Sequence, residues 1–418
     1  MLEGSDAVPG IRWGRILAVI ILAVFALEVF SQLVVYCWAG KRYDSFSNYV
    51  WSPYGLVRSN PRLTNPAYQI NSNGFREVRE YSRRKPPGTI RILFLGGSVL
   101  FSGVAGTTFP GQARVPSSQT ISQYLSRELR SDPAFAGVGI EVINAAVNFN
   151  RFSEIAASYV AEYLDWQPDI VIVGGTVNGF SAPPLPGQTA AGESYPQRRH
   201  EWRLDFERQA NDDSFLALGE RVRLTLAGHS ALFGILSKGL TKGVDLLLGL
   251  RSRGSIAQNQ PMLRPGYEIP EVVDHDEWSK YLDVNAAYAQ AMISAGRARG
   301  QRVLFFWEHL LLHLDGIKPL SEKERWLFAR NNPAYPREAG DALNPDRFYT
   351  WSRIHFSEEL NSSGSRLLDP LEALRTSSET VFIDYGHYTA EGNQFMARFL
   401  AGALHDEILA AAASLKTR

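Results

Sequence analysis

Cysteine is almost missing from the sequence. Cys37 is the one cysteine in 418 residues, which excludes an intramolecular disulfide and a metal site built from clustered thiolates. Charge of either sign is not in excess. Lys plus Arg total 43 and Asp plus Glu total 43, so nothing in the balance points to nucleic acid or another polyanion as a partner. Long apolar runs are scarce too, and only Ile16 to Trp38 reaches membrane length. Aromatics, by contrast, are plentiful: 9 Trp, 17 Tyr and 22 Phe suit carbohydrate or interface contacts as well as an ordinary core. The length suggests two or three domain-sized units, or one domain with insertions.

The apolar run covers 23 residues, enough to cross a hydrocarbon core of about 30 Å at a rise of about 1.5 Å per residue. Glu28 and the pair Ser31-Gln32 interrupt it. A single carboxylate costs a few kcal/mol there, which the surrounding Leu, Ile, Val and Phe offset. Arg12 and Arg15 precede the run and Lys41 and Arg42 follow it, so flanking charge biases orientation only weakly. The apolar region of a cleaved signal peptide is shorter, about 7 to 15 residues, and Val35-Tyr36 before Cys37 makes a poor lipoprotein signal. The expectation is a short cytoplasmic N-terminus over 1–15 and an uncleaved transmembrane anchor over 16–38 in contact with the lipid bilayer. The body would then lie outside a bacterial inner membrane, periplasmic or extracellular. A juxtamembrane segment over 39–89 follows, rich in Tyr, Asn, Arg, Pro and Ser, with some strand content, a turn at Asn73-Gly74 and a break at Pro86-Pro87-Gly88.

Beyond residue 90 the pattern alternates. Ile92 to Leu95 is an apolar run without helical period, closed by Gly96-Gly97, as in a buried parallel strand. A helix is predicted from Ser118 to Leu129, with Ile121, Leu125 and Leu129 on one face. A second strand follows over Ile140 to Val147, then a helix capped by Ser153. Ile170 to Gly175 reads as a third strand. Strand-helix-strand spacing of this kind means βαβ units and a parallel sheet. The pattern breaks over 181–274, an insertion that opens on Pro183-Pro184 and carries a helical apolar stretch from Ala231 to Leu250. That stretch suits a cap over a site, a surface lying on a bilayer, or plain core packing. The alternation resumes with a helix over Ala286 to Ala298 and a fourth strand over Arg302 to Trp307. Asp384 and His387 then lead into a terminal helix from Thr389 to about Ala411. The expected fold is a three-layer α/β/α domain with a central parallel sheet, flavodoxin-like, over 90–180 and 275–411, preceded by one transmembrane helix.

Ser98 stands just past the first strand, on the side where open α/β sheets bind ligands. Alone, it reads equally well as the cap of the next helix. The full set of blocks resembles the SGNH (GDSL-type) hydrolases in a membrane-anchored bacterial form. The blocks are strand-Gly-Gly-Ser98, strand-Asn144-Ala145-Ala146, strand-Gly175-Thr176-Val177-Asn178, and Asp384-x-x-His387 before a terminal helix. Asn73-Gly74-Phe75-Arg76 adds a run that often precedes the serine block in anchored members. Two blocks depart from the family pattern. Its second-block glycine falls on Ala146, and its Gly-x-Asn-Asp falls on Thr176-Val177-Asn178-Gly179, which keeps only the Asn.

The resemblance implies a serine hydrolase that needs no cofactor or metal. Ser98 would be the nucleophile, His387 the general base and Asp384 the group fixing the imidazole tautomer, because a serine hydroxyl is a weak nucleophile without an adjacent base. The oxyanion hole would comprise the N–H groups of Ser98 and Ala146 and the Asn178 amide. Gly97, Asn148, Gly175, Glu308 and His309 are expected along the substrate cleft. His309 and His313 have an i, i+4 spacing compatible with a metal, but not the His-Glu-x-x-His pattern, and the cleft reading of Glu308 and His309 is preferred. His355 reads as a surface residue in an irregular region. The expected function is an extracytoplasmic esterase acting on an O-acyl ester, such as the O-acetyl groups of a surface glycan, through an acyl-serine. The alternatives are an O-acyltransferase acting on an exopolysaccharide or cell-wall glycan, and a non-catalytic glycan-binding scaffold.

Overall fold

A computed structural model describes residues 13–45, 47–52, 54, 57–67, 69–103, 115–148, 150–180, 226, 228–247, 275–314, 316–331 and 345–416. Most of the insertion, 181–225, 227 and 248–274, lies outside the described residues, as do residues 1–12. The chain divides into two units. Met1–Ser47, Arg62–Pro66 and Asn211–Arg251 form one, and Asn48–Pro61, Ala67–Ala210 and Ser252–Arg418 form the other.

The first unit holds helix α1 (Trp13–Ala39), which is long and apolar enough to cross a membrane over Gly14–Ala39. Most of its large apolar side chains are exposed, from Ile16 to Trp38. A helix from the insertion, α6 (Ala231–Leu247), belongs to this unit.

The second unit opens on a small antiparallel pair, β1 (Tyr49–Trp51) with β2 (Val57–Ser59). Its body is a five-stranded sheet of β3 (Thr89–Leu95), β4 (Gly139–Asn144), β5 (Ile170–Val173), β6 (Arg302–Phe306) and β7 (Leu367–Leu368), every pair parallel, in the order β4-β3-β5-β6-β7. This is a doubly wound, flavodoxin-like order. All seven residues of β3 are buried, as expected of a strand covered on both faces, and the one charge among them, on Arg91, is paired with Glu141 at 2.7 Å. Alternate side chains serve opposite layers. Leu93, Leu95, Val171, Val173, Val303 and Phe305 face a cluster that includes Tyr159 and Met292. That layer comprises α4 (Phe152–Ala161), α7 (His275–Ala298) and α9 (Pro345–Ser362). Against the other face lie α3 (Ile121–Ser131), α11 (Ala390–Ala403) and α12 (His405–Lys416). The short helices α2 (Ser98–Phe101), α5 (Thr176–Phe180), α8 (Glu322–Asn331) and α10 (Leu371–Thr376) complete the unit, with α6 (Ala231–Leu247) in the first.

Several expectations shift in detail. Residues 67–89 are not a separate juxtamembrane piece: Phe75 and Tyr81 are part of the second unit's core. Asn73-Gly74 does turn the chain, with Gly74 at φ +82° and Asn71 Oδ1 accepting from the N–H groups of Asn73 and Phe75. Helix α3 buries Ile121, Leu125 and Leu129 as its spacing predicts, and Thr120 caps it. Ser153 is not a cap. Helix α4 starts one residue earlier, and the Glu154 carboxylate accepts the N–H of Arg151 at 2.9 Å. The terminal helix is two, with a break at Leu404. His355 is helical, within α9, and pairs with Glu358 at 2.9 Å.

Candidate active site

Three strand ends converge on one edge of the sheet. Ser98 follows β3, residues 145–148 follow β4, and Asn178 follows β5. The chain leaves β3 for β4 on one side and crosses to β5 on the other, which makes the carboxyl end of β3 a topological switch point. Ser98 is the first residue of α2, so its N–H has no helical acceptor behind it. It is half-buried among buried neighbours.

His387 arrives at this edge from nearly three hundred residues away. Its Nε2 is 2.8 Å from Ser98 Oγ. Its Nδ1 is 2.9 Å from both carboxylate oxygens of Asp384. The carboxylate accepts from Nδ1–H, which leaves the Nε2 lone pair for the serine proton. Asp384 Oδ1 also accepts the N–H groups of Gly386 (2.9 Å) and His387 (2.8 Å), so the three-residue spacing closes a turn that aims the ring. Burial of His387 opposes its positive charge, but Asp384, and Glu308 beyond it, outweigh that and raise its pKa above the usual imidazole value. The loop carrying the histidine is itself anchored. Ile383 N–H donates to His387 O at 2.9 Å and Thr389 N–H to Val381 O at 2.8 Å. Glu324 Oε1 accepts the N–H groups of Val381 (2.8 Å) and Phe382 (3.3 Å), and its other oxygen holds Lys318 at 2.7 Å in a fully buried pair. These two residues were not singled out from the sequence, although Ser321-x-x-Glu324 is a capping-box pattern that marks the position, and Ser321 N–H does donate to Glu324 at 2.9 Å.

Asn178 comes beside Gly97, the residue before Ser98. One N–H of its amide donates to Asn150 O at 2.8 Å, which leaves the second N–H for another acceptor. Gly97 permits this approach, because a β-carbon there would overlap the Asn178 amide nitrogen. Gly175 serves the same turn through its backbone, at φ +97°. Both glycines shape the turn that carries Asn178. Thr176, which stands where a glycine was expected, is fully buried and accepts the N–H of Glu308 at 2.7 Å.

Ala146 is a correction. The N–H groups of Ala145 and Val147 donate to Phe94 O and Gly96 O, so this stretch continues the pairing of β4 with β3. Alternate N–H groups on a strand point to opposite sides. The Ala146 N–H therefore points away from β3 and Ser98, and it donates to Asn144 Oδ1 at 3.1 Å. It is no oxyanion donor in this arrangement. Asn148 does lie beside the serine: a β-carbon on Gly103 would stand 3.0 Å from its Oδ1 and 3.5 Å from Ser98 Cβ. Its Nδ2 donates to Tyr49 Oη at 2.8 Å.

Glu308 and His309 are corrections of a second kind, because both are buried rather than open to a cleft. Glu308 Oε2 accepts the N–H of Val177 at 3.2 Å, beneath the turn that carries Asn178, and burial pushes its pKa up to about 7. His309 Nε2 is 2.8 Å from Asp369 Oδ1, and Asp369 also holds Arg353 at 2.5 Å. His313 packs on the Tyr349 ring at a centroid distance of 4.2 Å, and burial pushes its pKa down to about 3.

No family model matches the chain, and no curated protein matches it. Solved structures that resemble it include Axe2, an acetylxylan esterase from Geobacillus stearothermophilus, at 12% identity over 75% of this chain and 92% of that one, with a TM-score of 0.37. The acetyl xylan esterase AlAXEase is similar at 10% identity over 75% of this chain and all of that one, again with a TM-score of 0.37. The likeness is distant, and the reading of the site rests on its own geometry.

Proposed function

We propose that the chain is a membrane-anchored, extracytoplasmic serine esterase that cleaves an O-acyl ester through an acyl-serine intermediate. The observation that carries this reading is the unbroken hydrogen-bond chain from Asp384 through His387 to Ser98. In the first half-reaction Ser98 Oγ attacks the acyl carbon as its proton passes to His387 Nε2, and Asp384 stabilises the imidazolium. The oxyanion is met by the Ser98 N–H and the free Asn178 amide N–H, a donor pair worth about 2.7–4 kcal/mol per member in systems of this kind. His387 then protonates the leaving alcohol oxygen. In the second half-reaction the neutral imidazole takes a proton from water, whose oxygen attacks the acyl carbon; the acyl–Oγ bond breaks, the imidazolium returns its proton to Ser98 Oγ, and the acid leaves.

The proposed substrate class is an acylated carbohydrate, with O-acetyl groups on a surface glycan as the first candidates. That choice follows from the SGNH resemblance and from an anchor that would hold the catalytic unit outside the cell. The non-catalytic scaffold reading calls for a serine and histidine out of hydrogen-bond reach, and the 2.8 Å separation speaks against it. The test uses the detergent-solubilised full chain with p-nitrophenyl acetate, and then with an acetylated oligosaccharide plus an unacetylated acceptor. Release of free acetate, lost in Ser98→Ala, is expected. Equal turnover by Ser98→Ala contradicts the assignment, and accumulation of newly acetylated acceptor makes the enzyme a transferase.

A further inference from the structure

Glu28 is the residue that marks α1 as an imperfect membrane helix. Its carboxylate is not bare. It accepts from Ser230 Oγ at 2.5 Å and from the N–H groups of Ala231 and Leu232, each at 3.0 Å. Gln32 Nε2, one turn along α1, adds a fourth bond at 2.8 Å. Ala231 and Leu232 open α6, so their N–H groups have no helical acceptor and sit at the positive end of the helix dipole. The anchor's acidic residue is thus the N-terminal cap of a second helix, supplied from outside that helix. A carboxylate with four donors is far less costly away from water than a bare one.

This latch decides what medium surrounds α6. Ile20, Val24 and Phe25 of α1 line one groove of about 1070 Å³ together with Leu226, Leu232 and Phe233. Surfaces that line one groove share one medium, so lipid against α1 at Ile20–Phe25 is lipid against the first turns of α6 as well. Further along α6, Leu236 is 57% exposed. Helix α6 is 17 residues long, about 25 Å at 1.5 Å per residue, too short to cross a core of about 30 Å. It also carries Lys238, Lys242 and Asp245. Short length, apolar side chains and interspersed charge describe a helix that lies in the interface rather than one that spans it. Just before α6, Gly228 O accepts from Arg62 at 3.1 Å, and Arg62 pairs with Asp44 at 2.7 Å, which sets charged groups beside the start of α6.

We propose that α6 is a second membrane element, an interfacial helix latched to the anchor by Glu28, with lipid acyl chains filling the groove between them. The proposal rests on reading α1 as a membrane anchor. Its occupant is the bilayer itself, because Ile20, Ile21, Val24, Phe25, Val29 and Leu33, which line the groove, also belong to the exposed apolar surface of α1.

The experiment places the full chain in lipid nanodiscs in a Cys37→Ser background. Single cysteines at Val24→Cys and Leu236→Cys carry an environment-sensitive NBD label. Expected is quenching of both labels by doxyl-labelled lipid and shielding of both from iodide. In Glu28→Leu the Leu236 label should lose most of its lipid quenching while the Val24 label keeps it. A Leu236 label open to iodide and untouched by doxyl lipid, beside a quenched Val24 label, overturns the proposal and leaves the anchor standing. A Val24 label untouched by doxyl lipid overturns both. Unchanged Leu236 quenching in Glu28→Leu overturns the latch.

Discussion

Gly97 and Asn178 stand so close that a β-carbon on Gly97 would overlap the Asn178 amide nitrogen. The glycine before Ser98 is therefore what lets the Asn178 amide, the proposed oxyanion donor, come this near. Gly97→Ala should displace the amide and lower kcat for p-nitrophenyl acetate by about 10²–10³-fold, as Asn178→Ala should, with KM nearly unchanged. Because both changes remove one interaction, the double variant should lose no more than either alone. Additive losses in steady-state kinetics contradict this coupling.

Ala146 makes the opposite prediction. Its N–H is turned away from Ser98 toward Asn144 Oδ1. Ala146→Gly should leave kcat/KM unchanged while lowering stability by about 1 kcal/mol, the usual backbone effect of glycine. A large change in kcat would restore Ala146 to the oxyanion hole.

Glu308 should be visible in the pH profile. Catalysis needs neutral His387, whose pKa is raised by Asp384 and by Glu308, so the acid limb of kcat/KM should lie above the ordinary imidazole value of about 6.5. Glu308→Gln removes the negative charge that Glu308 gains as it ionises near pH 7, and should move that limb to lower pH. It should also lower kcat, since the Val177 N–H loses a charged acceptor under the Asn178 turn. A limb that does not move contradicts the electrostatic link.

Stability should fall as pH rises from about 5 to 8. Burial raises the pKa of Glu308 and of Glu77 to about 7 from the ordinary 4.5. A carboxyl whose folded pKa is raised binds its proton more tightly in the native state. Its contribution is complete below the unfolded value and is lost as pH climbs through the folded one. His387, also raised, acts in the same direction. Each carboxyl corresponds to about 3 kcal/mol across the window. Thermal unfolding at pH 5.5 and pH 8 should show the higher midpoint at the acid pH, with a smaller difference in Glu77→Gln. A midpoint that rises with pH contradicts this.

The serine edge of the fold was legible because its signals are local. An apolar run closed by two glycines specifies a buried strand and a sharp exit, and Asp384-x-x-His387 closes its own turn. What was not legible depends on pairing between distant segments. Strand β7 has two residues, and its strand character comes from lying beside Phe305 and Phe306. The outward-facing N–H of Ala146 follows from the register of β4 on β3, which a residue pattern does not encode. Glu308 was expected at the correct strand end, but whether it meets a substrate or supports the turn above it is decided by the packing of Thr176 and Val177. Glu28 read as a defect in the anchor because its partners, Ser230 to Leu232, are about two hundred residues away.

The central claim is that His387 activates Ser98 as a nucleophile, and covalent trapping tests it most directly. The full chain in detergent is treated with a fluorophosphonate and the labelled peptide is identified by mass spectrometry. The account predicts a single adduct on Ser98, formed much more slowly in His387→Ala and absent in Ser98→Ala. Absence of an adduct on Ser98, or one that forms equally fast without the histidine, would contradict it.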